Sequence, residues 1–284
     1  MDRMKLACAA LLLASGAGAA AEEARWYVRT DNDVAFGTDR WYTSGARIAR
    51  VKDGLEMALV QNIYTPDAKN WHPGKDDRVP TAELLAVGAM HGRGPDYFQT
   101  FELALGMRGP AALGRQVTSA IHRVIPAPDV DWSRQLGNQA QAHLAFTRSQ
   151  ALPGDRVKLH GGATLGNQAS FAHAGFEVRA GDTTLASPLL RFVSTPPFSS
   201  DASGWSAYAG ASIRAIGRNE LISRNYDPFG PELEHRRSMT RTAAGVAWTQ
   251  PWGTLSFDIA QDSKEFDAQT APLRFGSLTV HLAF

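Results

Sequence analysis

Alternation of apolar and polar positions dominates this chain. Near its end Leu278, Val280, Leu282 and Phe284 alternate with Thr279, His281 and Ala283. Leu255, Phe257 and Ile259 alternate with Ser256, Asp258 and Ala260, and Ala244, Val246 and Trp248 with Gly245, Ala247 and Thr249. Successive side chains of a strand point to opposite faces, so period two places each set on one face of a β-strand. The same pattern recurs in Ala207 to Ile213, Ala172 to Val178, Val157 to Leu165, Ala142 to Phe146 and Phe101 to Met107. Weaker strands are read at 25–32, 41–51, 55–62 and 82–91, which makes twelve. No segment after Ala21 reaches the run of about 18 apolar residues that marks a membrane-crossing helix.

A soluble sandwich alternates too, but three features favour a barrel that crosses a membrane. The strands are about 10 residues long, the length a tilted membrane strand requires. Their polar face carries Glu102, His143, Lys158, Glu177 and Arg214 at mid-strand, which suits a wet lumen better than a packed core. The chain also stops on an aromatic, Phe284, after alternating apolar positions, as bacterial outer-membrane barrels do. The expected fold is therefore all-β: a twelve-stranded antiparallel transmembrane β-barrel with a short helix in an extracellular loop and both chain termini on the periplasmic side.

Parity then sorts the connections. If the first strand runs outward, 33–40, 63–81, 108–137, 166–168, 215–238 and 263–272 are extracellular. The periplasmic turns, such as Lys52-Asp53-Gly54 and Gln250-Pro251-Trp252-Gly253, are short and rich in turn residues. The segment 181–204 is long for such a turn, and the pattern gives no account of it. Within the third outer loop the period changes from two to that of a helix. From Ala111 to Val124, Leu113, Val117, Ala120, Ile121 and Val124 fall on one face, with His122 beside it.

Composition adds export and removes some partners. Residues 1–21 have a basic start, the apolar run Leu6 to Ala14, and small residues ending in Ala19-Ala20-Ala21, the three parts of a secretory signal peptide. The barrel is then expected over 22–284. The one cysteine, Cys8, lies inside the leader, so disulfides are not expected to hold the fold. Net charge is +1, and removing Asp2, Arg3 and Lys5 with the leader brings it to zero. Nothing in that balance points to nucleic acid.

Polar chemistry gathers in two places. The first is the hairpin tip Asp31-Asn32-Asp33 through Thr43-Ser44-Gly45, and the second is the helical loop with His122. Taken singly these residues are unremarkable in type. Asn and Asp favour turns, a surface histidine is usually just hydrogen-bonded, and Lys69 reads as a solvated loop charge. Taken together, Asn32, Asp33, Thr43, Lys69 and His122 flank or occupy three outer loops that open at one barrel end. Such a set suffices for ester hydrolysis. The histidine acts as general base towards water, a carboxylate holds a divalent cation against the carbonyl, and amide or lysine donors meet the oxyanion. There is no G-x-S-x-G, so no α/β-hydrolase nucleophile elbow. Whether Asp39-Arg40 binds substrate or only stabilises the hairpin stays open.

At these residues the chain resembles the lipid A 3'-O-deacylases of Gram-negative outer membranes (the LpxR type). The matching pieces are N-D followed by T-D-R-W-Y-T-S-G, then Q-N-I-Y-T-P, then D-D-R, then the run from Gly106 to Arg123 with D-W-x-x-Q-L-x-N, and later G-G-A-x-L-G-N and S-K-E-F. The resemblance implies a twelve-stranded barrel that removes the 3'-linked acyloxyacyl chain from lipid A with calcium. It places the family's catalytic residues on Asn32, Asp33, Thr43 and His122, and its lysine, across one gap, on Lys69. Asp33 is the expected cation ligand. Family members often carry an acid after the His-Arg pair or after Q-L-x-N, where this chain has Pro128-Asp129 and Asn138-Gln139. A ligand is then either missing or supplied by Asp129.

The expected protein is an outer-membrane carboxylic ester hydrolase, a monomer, with lipid A or lipopolysaccharide as substrate and Ca2+ as its cation. The alternatives are a barrel of this family that has lost activity and serves as a surface binding protein, or an outer-membrane phospholipase.

Overall fold

A computed structural model describes residues 24–67, 76–124, 130–181, 203–223 and 233–283. The expected leader, Phe284, Lys69, Asp129 and most of 181–204 lie outside the described residues. Twelve strands follow one another along the chain. They are β1 (Arg25–Asn32), β2 (Trp41–Lys52), β3 (Leu55–Thr65), β4 (Thr81–Arg93), β5 (Tyr97–Arg108) and β6 (Gln139–Ala151). Then come β7 (Val157–Gly166), β8 (Ala169–Gly181), β9 (Gly204–Asn219), β10 (Ser238–Gln250), β11 (Gly253–Asp262) and β12 (Leu273–Ala283). Each pairs antiparallel with its neighbours in sequence, and β1 closes on β12 from Arg25↔Ala283 to Asn32↔Gly276. Closure matters because an open edge of unpaired N–H and C=O groups cannot sit in hydrocarbon.

The period-two pattern sorts side chains as expected. Outward positions expose large apolar groups: Met57 is 71% exposed, Leu144 62% and Leu165 68%. A continuous belt of such residues is a liability in water and is what a bilayer covers. Inward positions are mostly polar, and several of their charged groups are paired. The Tyr27 hydroxyl donates to Glu56 at 2.8 Å, and His91 Nε2 meets the same carboxylate at 2.8 Å. Arg47 caps it through Nε at 3.0 Å. Gln141 donates to Glu83 at 2.8 Å, and Arg241 grips Asp262 with two nitrogens at 2.5 Å. Bidentate pairing of this kind keeps buried charges satisfied.

Apolar residues close the lumen at the loop-rich end. Trp41, Ile222, Leu233, Phe266 and Phe275 form one buried cluster there, drawn from the starts of β2 and β12 and from the two connections β9–β10 and β11–β12. Between β5 and β6 lies helix α1 (Gly114–His122), and after β9 the short helix α2 (Glu220–Ser223), which carries Ile222.

Helix α1 is the expected loop helix, preceded by a 3-10 turn at Pro110–Ala112. It does not stand over the lumen but lies against the outer surface of the wall. Asn62 and Tyr64 line the lumen, so Gln61 and Ile63 point out. Ile63 and Ala82 are nevertheless buried, because Ala112, Val117 and Trp132 cover them. Gln61 Nε2 donates to the Ala112 carbonyl at 2.7 Å.

The face that docks is the apolar stripe only in part, through Val117. Gly114 and Thr118 are buried, while Leu113, Ile121 and Val124 are exposed, Val124 at 81%. Gly114, Thr118 and His122 recur every four residues and so share one side. Small residues let the helix backbone reach the wall. A Cβ on Gly114 would stand 2.5 Å from Ala82 Cβ and 2.7 Å from the Trp132 ring. Gly114→Ala is therefore expected to lift α1 off the wall and move His122. The sequence leads one to expect ester hydrolysis with His122 as base, and on that expectation initial rates of ester release fall roughly ten- to a hundredfold, the cost of misplacing a catalytic group by about 1 Å. Heat-modifiable gel mobility should still report an intact barrel.

Candidate active site

Asn32 ends β1, and alternation from lumen-facing Arg29 and Asp31 turns it outward. Its Oδ1 accepts from Val34 N at 2.7 Å, an Asx-type turn that starts the 3-10 turn Val34–Phe36. The carbonyl is thus used locally, and the side-chain NH2 remains as donor. Asp33 follows and is 1% exposed. Its Oδ2 accepts from the Thr38 hydroxyl at 2.9 Å and from Arg40 N at 2.8 Å. Its Oδ1 is buried with no hydrogen-bond partner among the described residues. Burial pushes this carboxyl up to about 7. The two hydrogen bonds offset only part of the effect, and the nearby Asp39 carboxylate adds to it.

Strand alternation predicts Thr43 on the lumen side at the start of the second strand, and the structure corrects this. The β2–β3 register skips from Tyr42↔Tyr64 to Ser44↔Ile63, leaving Thr43 as the extra residue of a bulge. One inserted residue reverses side-chain parity locally. The Thr43 hydroxyl meets that of Thr65 at 2.5 Å, next to lumen-facing Tyr64 and hence on the outer side of the wall.

Asp39 is the residue that sequence reasoning left unassigned. Burial raises its carboxyl above the usual range, opposed by the positive influence of His122 and by the Thr43 hydroxyl. Asp39 thus lies within electrostatic reach of His122, Thr43 and Asp33. Its Oδ1 and His122 Nδ1 are both buried without a hydrogen-bond partner among the described residues. The neighbouring Arg40 has a different task. Its Nη1 pairs with Asp67 at 2.9 Å and its guanidinium lies 4.5 Å from the Trp41 ring centre. Trp41 Nε1 in turn donates to Asp77 at 3.2 Å, and Asp77 accepts from Asp67 N at 2.7 Å. The pair is therefore divided: Asp39 faces the polar cluster, and Arg40 ties the hairpin to the second loop. The sequence signal for Asp39 was its position four residues before Thr43, in a hairpin more polar than a turn needs.

Four residues, Asp33, Asp39, Thr43 and His122, meet in this way between the barrel wall and α1, with Asn32 beside them. Two buried carboxylate oxygens without partners suit a hard cation, which takes oxygen ligands only. No group of three or more acidic, histidine or cysteine side chains with metal-holding geometry occurs among the described residues, so other ligands would be amide or backbone oxygens or water.

Asp33 carries a pH signature of its own. Its folded pKa of about 7 lies above the ordinary 3.8. The folded state therefore binds the extra proton between those values, and the associated stability is present below 3.8 and lost as pH rises to 7. With chelator present, Asp33→Asn is expected to stabilise the fold at pH 8 by roughly a few kcal/mol, read as a raised thermal midpoint, and to change that midpoint little at pH 4. Heat-modifiable gel mobility across temperature at the two pH values checks this.

Closed antiparallel strands, an apolar outer belt and a plugged polar lumen define an outer-membrane β-barrel, here one with a polar site built on its outer wall. The family model "Outer membrane protein LpxR" matches residues 6–284. The chain belongs to the LpxR family. Among solved structures it is similar to LpxR from Salmonella typhimurium, at 17% identity and a TM-score of 0.76, over 92% of this chain and 100% of that one. It is also similar to the β domain of the Bordetella autotransporter BrkA, at 11% identity and a TM-score of 0.50, over 93% and 100%. Both likenesses concern the fold. No curated protein matches the chain.

Proposed function

We propose that this protein is an outer-membrane esterase that removes the 3'-linked acyloxyacyl chain from lipid A. One observation carries the reading: the site lies on the outer side of the wall, under α1, where a lipid of the outer leaflet reaches it, and not in the lumen. The apolar cluster over the lumen mouth also argues against passage through the barrel as the protein's work.

In this mechanism His122 takes the proton from a water as that water attacks the ester carbonyl, then returns it to the departing sugar alkoxide. Asp39 and Thr43 set the field around the imidazole. The Asn32 amide donates to the oxyanion, with Lys69 as the second donor proposed for the same charge. Asp33, with Asp39 beside it, would hold a calcium ion, which when bound polarises the carbonyl and lowers the cost of the developing charge. No side chain needs to act as nucleophile.

The test is mass spectrometry of lipid A from cells expressing the protein, with and without chelator. Loss of the 3'-acyloxyacyl mass in calcium supports the reading. Unchanged lipid A, indistinguishable from a His122→Ala control, would sink it, and release of fatty acid from glycerophospholipid instead would identify a phospholipase.

A further inference from the structure

The hairpin has a second polar feature that ester cleavage does not use. On the side of β1 away from α1, a cavity of about 190 Å³ opens between the hairpin and the start of β12. Phe36, Thr38, Arg40, Trp41, Leu273 and Arg274 are among the residues that line it, and no acidic side chain is. It adjoins the cluster around Asp33 directly, since the Thr38 hydroxyl and Arg40 N both donate to Asp33 Oδ2.

Arg274 lies between the buried residues Leu273 and Phe275, both of which line the lumen, so its own side chain stands on the lipid side. Its Nε donates to Gln261 Oε1 at 2.7 Å, which fixes the plane of the guanidinium. Its terminal nitrogens have no hydrogen-bond partner among the described residues. A planar, oriented guanidinium with free terminal donors matches two oxygens of a phosphate. Arg40 adds positive charge, although its Nη1 is committed to Asp67. The aromatic rings beside them offer an apolar wall to a sugar face.

We infer that this cavity binds a phosphate carried on the same sugar as the ester under attack. In lipid A the carbon next to the 3'-acylated one bears the 4'-phosphate. A sugar placed with its ester between Asn32 and His122 would then present that phosphate beside the hairpin. This inference rests on the deacylase reading and names how its substrate is held and oriented.

The experiment measures equilibrium binding, so that it does not depend on turnover. Detergent-solubilised full-length His122→Ala protein is titrated with bisphosphorylated lipid A and with lipid A lacking the 4'-phosphate. Removing the phosphate should weaken binding roughly ten- to a hundredfold, the range for hydrogen bonds to a charged group. With Arg274→Gln added, the same removal should cost at most about twofold. Arg274→Lys should keep part of the discrimination. Heat-modifiable mobility confirms that each variant is folded. Equal binding of the two lipids by the His122→Ala protein, or binding of neither, overturns the subsite. Competition by millimolar inorganic phosphate with no effect of the 4'-phosphate also overturns it, and points to a free anion as occupant. Phosphate-dependent binding in a protein whose parent releases no acyl chain would leave the subsite standing and remove the deacylase reading.

Discussion

Replacing His122 by alanine is expected to cut acyl-chain release by roughly a hundred- to ten-thousandfold, the range for loss of a general base. The effect should fall on kcat, because the proposed base acts on water and not on the lipid. His122 is the last residue of α1, and its ring needs no further partner to hold the helix in place. The helix is docked by Gly114, Thr118 and Val117 against Ala82, Ile63 and Trp132. His122→Ala should therefore leave heat-modifiable mobility and the thermal midpoint unchanged, separating a chemical loss from a structural one. Steady-state release of the fatty acid by mass spectrometry reads the rate. Equal rates for His122→Ala and the parent would remove the proposed base.

The second large effect concerns the cation. Chelation is expected to lower the rate roughly a hundred- to a thousandfold, the scale on which loss of an oxyanion stabiliser is felt, and calcium should restore it. Asp33→Asn should shift the calcium concentration for half-maximal rate upward, roughly tenfold or more, because a neutral amide replaces a buried carboxylate. The physical ground is the orphaned Oδ1 of Asp33, with that of Asp39 in the same cluster. Two carboxylates pressed into a dry site are unfavourable alone and favourable around a cation. Rates indifferent to chelator, or a calcium requirement identical in Asp33→Asn and the parent, would remove the cation from the mechanism.

Much of the barrel is legible in the sequence because its physics is one-dimensional. Leu278 and Val280 face out and Thr279 and His281 face in, and no distant residue has to be known to see it. The same holds for Ala142, Leu144 and Phe146 against Gln141, His143 and Thr147. Twelve strands and their antiparallel order follow from that alternation and from the turns between them.

Where the reading fell short, a second surface decided the outcome. Periodicity sets Leu113, Val117, Ala120, Ile121 and Val124 on one face of the loop helix without saying what that face meets, and of these Val117 packs on the wall cluster while Leu113, Ile121 and Val124 are exposed. A helix resting on a membrane-facing wall has an apolar environment on its outer side as well, so the small residues Gly114 and Thr118 take the inner side. Thr43 failed differently. A single bulge residue reverses parity, and nothing in the composition of Trp41-Tyr42-Thr43-Ser44 announces it. Asp39 was in plain view, but its value depends on burial beside His122, a residue more than 80 positions away in the chain. Lys69 and Asp129, two residues of the expected site, lie outside the described residues.

The most direct test of a wall-side lipid A esterase is a purified reconstitution. The full-length protein is placed in vesicles containing both lipid A and glycerophospholipid, with calcium, and all released acyl chains are identified by mass spectrometry. The account predicts loss of the 3'-linked acyloxyacyl unit from lipid A, intact glycerophospholipid, and no release with His122→Ala. Intact lipid A in the presence of folded protein and calcium would contradict it.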